Sequence, residues 1–303
     1  MELNQLRYFQ VIARHSNITR AAEELYISQS SLSKTLSLLE KDIGAQLFDR
    51  VGNRMVLNNI GKAFLKRVDR ILLELDDAVA EASSDDRGDI RFACTVSGLC
   101  TSYIEQFLLE HPEVRLSQFL MKPEQISSSL ESGELDFGLS FQRFPSERIN
   151  WTPLASEEML ILTAKDLGPE GDSAPLSWFA EFPFVTINSG FGTFDNIMAQ
   201  CCQAGFSPRI LFDGNEPEMA FKLVAGGKAV MPISSIVYSW MARELETPPM
   251  QYIRAVRITE PDCSRMIGLA ILNDHYIAGT VKHFLDGLCS WFKNCYDSSK
   301  SMN

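Results

Sequence analysis

Three short runs of helix-spaced apolar residues, each closed by a capping or helix-ending residue, fill positions 1–44. They constrain the fold more than any other feature of this 303-residue chain. Leu3, Leu6, Phe9, Ile12 and Ala13 recur at three- and four-residue intervals, the pattern of one buried helical face. A break follows at Ser16-Asn17, residues that favour caps over helix interiors. Thr19 to Leu25 then reads as a short second helix, whose inward residues Ala21, Ala22 and Leu25 permit close helix contact. Tyr26-Ile27-Ser28 is a three-residue turn, with Ser28 placed to cap a third helix. That helix turns Leu32, Leu36, Leu39 and Ile43 inward and ends at Gly44. The order predicts a helix-turn-helix.

The outward face at the start of the third helix is Gln29, Ser30, Ser31, Ser33 and Lys34, with no large apolar residue and no acid before Glu40. A helix N-terminus favours nearby phosphate, hydroxyls and amides reach base edges or phosphate oxygens, and a lysine reads guanine or neutralises the backbone. A solvated polar face has the same composition, so the next elements decide. Gln46–Arg50 and Arg54–Leu57 are strand-like runs around Val51-Gly52-Asn53, a hairpin signal with Gly-Asn at its tip and Arg50 and Arg54 at its flanks. A helix-turn-helix followed at once by a cation-bearing hairpin is a winged arrangement, in which the wing lays a cation along the neighbouring minor groove. This order points to double-stranded DNA.

Net charge tests that reading. At −11 the whole chain would repel a polyanion. Residues 1–62, however, hold eight Lys/Arg against six Asp/Glu, leaving 20 against 33 for the rest. The acidity belongs to the second part of the chain.

The run Thr19-Arg-Ala-Ala-Glu-Glu-Leu25, then Ile27-Ser-Gln-Ser-Ser-Leu-Ser-Lys34, Leu39-Glu40, Gly44, Leu47-Phe-Asp-Arg50 and Gly61 resembles, without gaps, the DNA-binding domain of the LysR-type transcriptional regulators. Two positions depart from the family's habit: Ser30 stands where Pro is usual and Asn58 where Thr is usual. Ser is acceptable in a first helical turn and Asn is a good cap. The resemblance implies a sequence-specific DNA-binding regulator with Thr19, Gln29, Ser30, Ser31, Ser33, Lys34, Arg50 and Arg54 at the DNA.

From Asn58 onward Phe64, Val68, Ile71, Leu75, Ala78 and Ala82 alternate four- and three-residue steps, ending in the polar stretch Ser83–Gly88. A sustained seam of this kind pairs helices. The resemblance implies a homodimer joined through this linker helix, dimers that assemble further into tetramers through the effector domains, and a partly palindromic operator.

Beyond residue 88 strand and helix patterns alternate, which predicts an α/β fold. Strands are expected at 90–96, 114–120 and 135–141 with helices at 99–110 and 123–132. A second series has strands at 184–187, 210–212 and 229–232 with helices at 193–204 and 216–225. The apolar runs 159–163 and 266–272 flank that series, so the chain is expected to cross into a second subdomain and return, ending in a helix over 276–292. His111-Pro-Glu-Val114, Gly133-Glu-Leu-Asp136 and Ala225–Pro232 resemble, more weakly, the LysR-type effector domain, whose two subdomains look like a small periplasmic binding protein. Lys228 stands where that family usually has an aliphatic residue. The expected organisation is residues 1–62 as the winged helix-turn-helix, 63–88 as linker and hinge, and 89–303 as the effector domain. Its subdomain I spans about 89–163 and 265–303, and subdomain II about 164–264.

Open α/β sheets bind ligands beyond the carboxyl ends of strands, near helix N-termini. Thr95, Ser97 and Gly98 after the first strand, and Ser189, Gly190, Gly192 and Thr193 in the second series, meet that description. Lys122 and Gln125 at a strand–helix junction and Phe141 after the third strand are expected wall residues. Helix N-termini and Lys122 favour a small carboxylate effector, with an uncharged or aromatic one stacked on Phe141 and Phe191 as the alternative.

Other classes fit less well. Gly190-Phe-Gly-Thr-Phe-Asp195 has two glycines of a dinucleotide loop but Asp195 in place of the third. His15, His111, His275 and His283 are scattered, and no HExxH, GxSxG or CxxC occurs, so no cofactor, metal or catalytic site is expected. Seven scattered cysteines in a chain without an apolar leader read as reduced thiols. Adjacent Cys201 and Cys202 leave a redox-responsive regulator as an alternative, and a ligand-binding module or enzyme without DNA function as another. The nearly unbroken apolar run 266–272 is far shorter than the roughly 20 residues a spanning helix needs, so a cytoplasmic protein without a membrane partner is expected.

Overall fold

Local capping sets the N-terminal helices. In the computed structural model, which describes residues 1–52, 54–83, 88–96, 98–187, 193–241, 249–273 and 275–300 (backbone only at 80, 81, 83, 193–195, 240 and 295–300), α1 runs Leu3–His15. Its Gln5 side chain accepts the Glu2 N–H at 2.7 Å. Asn17 Oδ1 accepts the N–H groups of Thr19 and Arg20 at 2.9 and 3.1 Å and starts α2, Ile18–Glu24. Ser28 Oγ accepts the Ser31 N–H at 3.2 Å and starts α3, Gln29–Ile43. Gly44, at φ +76°, ends it in the left-handed conformation that glycine adopts without strain.

The three helices close over Phe9, Ile12, Ala21, Ala22, Leu32, Leu36 and Leu39. Two inward assignments change: Leu3 is exposed, and Val11 is buried in its place. A hairpin follows, β1 (Phe48–Val51) and β2 (Arg54–Leu57), with Val51 opposite Arg54. Asn53 of its tip lies outside the described residues. The Met55 N–H donates to the Ser16 carbonyl at 3.0 Å, fixing the hairpin against the end of α1.

Helix α4 spans Asn59–Ser83. Asn58 starts it, accepting the Gly61 N–H at 2.8 Å while donating to the Gln46 carbonyl at 2.8 Å. Gly61 has to be glycine, because a Cβ there would stand 2.0 Å from the Leu47 carbonyl oxygen. The expected single seam divides into two faces. Val68 and Leu72 are buried, with Phe64 and Leu65 partly so, in the core of the N-terminal unit itself. Ile71, Leu75 and Val79 face solvent. Phe64 and Val68 are therefore core residues of their own unit. Gln10 and Arg7 of α1 hold α4 through Asp69 (2.8 Å) and Asp76 (2.6 Å).

The chain divides into two compact units, residues 1–85 with the short segments 131–134 and 274–276, and the remainder. In the larger unit β3 (Asp89–Cys94), β4 (Arg115–Leu120) and β5 (Phe137–Ser140) are parallel, with α5 (Thr101–Glu110) and α6 (Pro123–Glu131) between them. Next comes β6, one strand from Ile149 to Ala164. Its residues 149–158 pair with β12 (Ser264–Leu272), which also pairs with β5. Residues 159–164 pair instead with β10 (Met231–Ser234) and β11 (Ile253–Ile258), and β11 carries the short β7 (Ser173–Ala174) at the edge. Beyond β10 lies the parallel pair β8 (Pro183–Ile187) and β9 (Arg209–Gly214), joined to it by a bridge between Phe184 and Val230. Helices α7 (Thr193–Gln203), α8 (Pro217–Ala225) and α9 (Ser235–Met241) complete this half, and α10 (Gly279–Lys300) closes the chain.

This is the expected α/β fold of two subdomains. Its larger share of antiparallel pairing comes from β11 and the first half of β6, which the sequence reading omitted. One core forms where α5 and α10 cover the first sheet: Phe92 stacks on Phe137 at 4.8 Å, and Tyr103 donates to the Phe284 carbonyl at 2.7 Å. Two further cores, around Phe179, Phe184, Ile197 and Val256 and around Leu162, Val185, Val224 and Met231, hold the other half.

Candidate nucleic-acid interface and ligand cleft

The buried side of α3 decides what its other side offers. With Leu32, Leu36 and Leu39 turned into the core, Gln29, Ser30, Ser31 and Lys34 are exposed and Ser33 is half-buried. Ser30 Oγ lies 3.1 Å from the capping Ser28 Oγ, and Thr35 donates back to the Ser31 carbonyl at 3.0 Å. Thr19 is exposed in the first turn of α2, and Arg50 and Arg54 are exposed on facing strands of the hairpin. All eight positions expected at DNA thus lie in one unit, seven of them exposed.

Glu40, the first acid along α3, does not spoil that surface. It is buried, and its Oε1 accepts the Leu47 N–H at 2.8 Å, tying α3 to the residue before β1. Sequence reasoning left it outward, and only the fold of residues 44–47 reveals its partner.

In the larger unit the parallel strands β3, β4 and β5 end together, at Cys94, Leu120 and Ser140, where an open α/β sheet receives ligands. Thr95 stands at this edge. Its N–H donates to the Leu139 carbonyl at 3.2 Å, it is 2% exposed, and its hydroxyl has no hydrogen-bond partner among the described residues. A buried hydroxyl without a partner costs roughly 1–3 kcal/mol. Gly98 follows at φ +84°, but α5 opens only at Thr101, after a turn through the buried Leu99 and Cys100. The helix therefore opens two residues later than the Leu99 expected from the sequence.

Lys122 is exposed. Gln125 accepts the Lys122 N–H at 3.1 Å and is engaged in capping α6. Phe141 is half-buried, with the Arg265 guanidinium 3.6 Å from its ring centroid. Ser97, Ser189, Gly190, Phe191 and Gly192 lie outside the described residues, and Thr193 opens α7.

One group had no sequence signal, because its members lie far apart in the chain. Glu157 of β6 and Arg265 of β12 face each other across the ladder, and Arg265 Nε donates to Glu157 Oε1 at 2.6 Å. Ser234 at the end of β10 donates to the other oxygen. All three are buried, at the point where β6 leaves one set of partners for the other. Burial pushes the Glu157 carboxyl up, against the lowering effects of Arg265 and Ser234, and burial pushes Arg265 down.

The two adjacent cysteines differ in environment. Cys201 is fully buried, and burial, then Cys263 and Cys202, push its thiol up to about 12, whereas Cys202 is exposed. Among the described residues no three His, Cys, Asp or Glu side chains converge as a metal site, and no helix is long and apolar enough to cross a membrane.

Comparison with known proteins places both units. Residues 3–62 match the model of the bacterial regulatory helix-turn-helix protein, lysR family, and residues 83–292 match the LysR substrate binding domain. The HTH-type transcriptional regulator YybE of Bacillus subtilis strain 168 is 28% identical over 299 residues, covering 96% of this chain and 99% of its own. XapR of Escherichia coli K12, another HTH-type transcriptional regulator, is 29% identical over 245 residues, covering 77% and 82%. Among solved structures, a full-length variant of OxyR from Pseudomonas aeruginosa has a TM-score of 0.72 at 18% identity, over 97% of this chain and 95% of that one. CbnR complexed with its target DNA has a TM-score of 0.58 at 23% identity, over 95% and 98%. At these identities the structures speak for the fold.

Proposed function

Since the chain belongs to the LysR-type transcriptional regulators, with their helix-turn-helix and effector-binding domains, we propose that it is a sequence-specific operator-binding regulator, controlled by a small molecule at the carboxyl edge of its effector-domain sheet. The observation that carries the DNA half is the exposed, carboxylate-free first turn of α3, beside a hairpin with Arg50 and Arg54. In this reading Gln29, Ser33 and Lys34 contact the major groove. Thr19, Ser30 and Ser31 contact the backbone beside it, and the wing arginines lie along the minor groove. The protein then works where its operators are, in the cytoplasm.

The effector half rests on Thr95, a buried hydroxyl at the carboxyl edge of the strands with no hydrogen-bond partner among the described residues. Gly98, Lys122 and Phe141 lie along the same strand ends, and Ser97, Ser189, Gly190, Gly192 and Thr193 join them in this reading. A small carboxylate matches amide and hydroxyl donors with Lys122 nearby. A ligand that binds one arrangement of the two subdomains better than another shifts the population toward it. A redox-responsive regulator of the same fold is the alternative, and there the exposed Cys202 is the accessible thiol, since burial pushes that of Cys201 up.

Assembly follows from α4. Its outward apolar residues Ile71, Leu75 and Val79 are what a second copy would cover. The charges favour one direction: residues 62–70 carry Lys62, Lys66, Arg67 and Arg70 against Asp69 alone, while residues 74–81 carry no cation and the acids Glu74, Asp76, Asp77 and Glu81, of which Asp76 and Asp77 already meet Arg7 and His275. Antiparallel pairing of two α4 helices places opposite charges together and parallel pairing places like charges together. The homodimer presents two α3 helices to a partly palindromic site.

The test is enrichment sequencing of a random-sequence duplex pool bound by the full chain. A motif of two inverted half-sites, centred about one helical turn of DNA or a multiple apart, is expected. Bound DNA with no enriched motif refutes the specific-reader reading.

A further inference from the structure

The Tyr26 ring takes no part in the core of the N-terminal unit. Tyr26 sits in the turn between α2 and α3 at φ +54°, a left-handed conformation that disfavours a residue with a Cβ and that Gly or Asn would tolerate. The residue is 95% exposed, the most exposed of the large apolar or aromatic residues described. The strain comes from the turn itself: the Tyr26 N–H donates to the Glu23 carbonyl at 3.2 Å and the Ile27 N–H to the Ala22 carbonyl at 3.1 Å. Ile27 goes into the core, and the Tyr26 ring is left in solvent. A ring this exposed gains little in the free protein that glycine would not also supply.

Its position suggests what the ring meets. Tyr26 precedes the α3 cap, Ser28, by two residues and Gln29 by three, at the same end of the helix as the exposed Gln29, Ser30 and Ser31. If that end enters a major groove, the residue just before it arrives at the groove's rim, where phosphates are the nearest groups. A tyrosine hydroxyl donates to a phosphate oxygen, and its ring covers the adjoining sugar. We propose that Tyr26 anchors the start of the reading helix to the DNA backbone, its hydroxyl donating to a phosphate at the rim of the groove. This rests on the reading of α3 given above. It adds a contact that is independent of base sequence and makes the strained turn useful only in the complex.

The experiment compares wild type, Tyr26→Phe and Tyr26→Gly in the full chain. Binding is followed by fluorescence anisotropy on a labelled random-sequence duplex at low salt, because a phosphate contact needs no particular operator, and melting temperature is recorded alongside. Tyr26→Gly should bind about five- to tenfold more weakly, and Tyr26→Phe about threefold or more, while neither melts below wild type. Tyr26→Gly binding as well as wild type overturns the proposal. So does Tyr26→Phe binding as well as wild type, which would leave a contact made by the ring alone. A lower melting temperature for Tyr26→Gly would also overturn it, by showing that the ring supports the fold. If the wild-type chain fails to bind the pool at all, the DNA-binding reading of α3 falls first and takes this contact with it.

Discussion

Two adjacent residues of α4 should fail in opposite ways. Leu72 is 2% exposed and belongs to the core of the N-terminal unit, whereas Ile71, the residue before it, is 51% exposed. Leu72→Ala removes buried methylenes and leaves a cavity, costing about 2–5 kcal/mol of that unit's stability and lowering its melting transition by on the order of 10 °C. Ile71→Ala removes surface that water already reaches, and alanine is the better helix former, so the melting of the unit, taken at a concentration that keeps the chain monomeric, should hardly move. If the outward face pairs with a second copy, the half-exposed Ile71 loses about 1 kcal/mol per chain, or about 2 kcal/mol per dimer, weakening self-association roughly thirtyfold. Ile71→Asp should weaken it further by placing two carboxylates in the seam. Sedimentation equilibrium over a concentration series, with a thermal melt of each variant, separates the two effects. A dimer weakened by Leu72→Ala with an unchanged melt, or an Ile71→Ala chain that melts early but dimerises normally, would refute the assignment of faces.

Two further outcomes concern single polar groups. Thr95→Val removes a buried hydroxyl that has no partner among the described residues, so the ligand-free protein should become more stable by about 1 kcal/mol, while any carboxylate that raises the wild-type melting temperature should raise the variant's less. Equal stabilisation of both proteins across a panel of small carboxylates would remove Thr95 from the site. Asp69 is raised above its ordinary value of 3.8, chiefly by burial and then against the Gln10 hydrogen bond, so its ionised form burdens the folded state above its folded pKa and not below 3.8. Asp69→Asn should therefore melt higher than wild type at pH 7, with the gain shrinking as pH falls toward 4. A gain that grows on acidification contradicts that sign.

The N-terminal unit was legible because its information is local. Asn17, Ser28 and Gly44 cap and end helices within a few residues of the apolar faces they serve, and the Arg50–Arg54 hairpin announces itself by a two-residue tip. On α4 the same spacing misled, since periodicity shows that a face is apolar without showing which neighbour covers it. Phe64 and Val68 turn toward their own core and Ile71 and Leu75 away from it. In the larger unit, β11 and the first half of β6 went unseen because half-polar strands such as Ile149–Glu158 are defined by partners about a hundred residues away. The same distance hid the buried Glu157–Arg265–Ser234 group. Tyr26 was read as an ordinary turn residue, because its backbone conformation follows from how α2 and α3 pack and not from its own preference.

The central claim is that the first turn of α3 reads bases. Its most direct test is Gln29→Ala, measured on an operator enriched from the random pool and on unselected duplex at the same salt. The account predicts a loss of about 1–3 kcal/mol on the operator and a clearly smaller loss on unselected DNA. Equal losses on the two DNAs would make Gln29 a backbone contact, and no loss on either would show that this face of α3 does not read the groove.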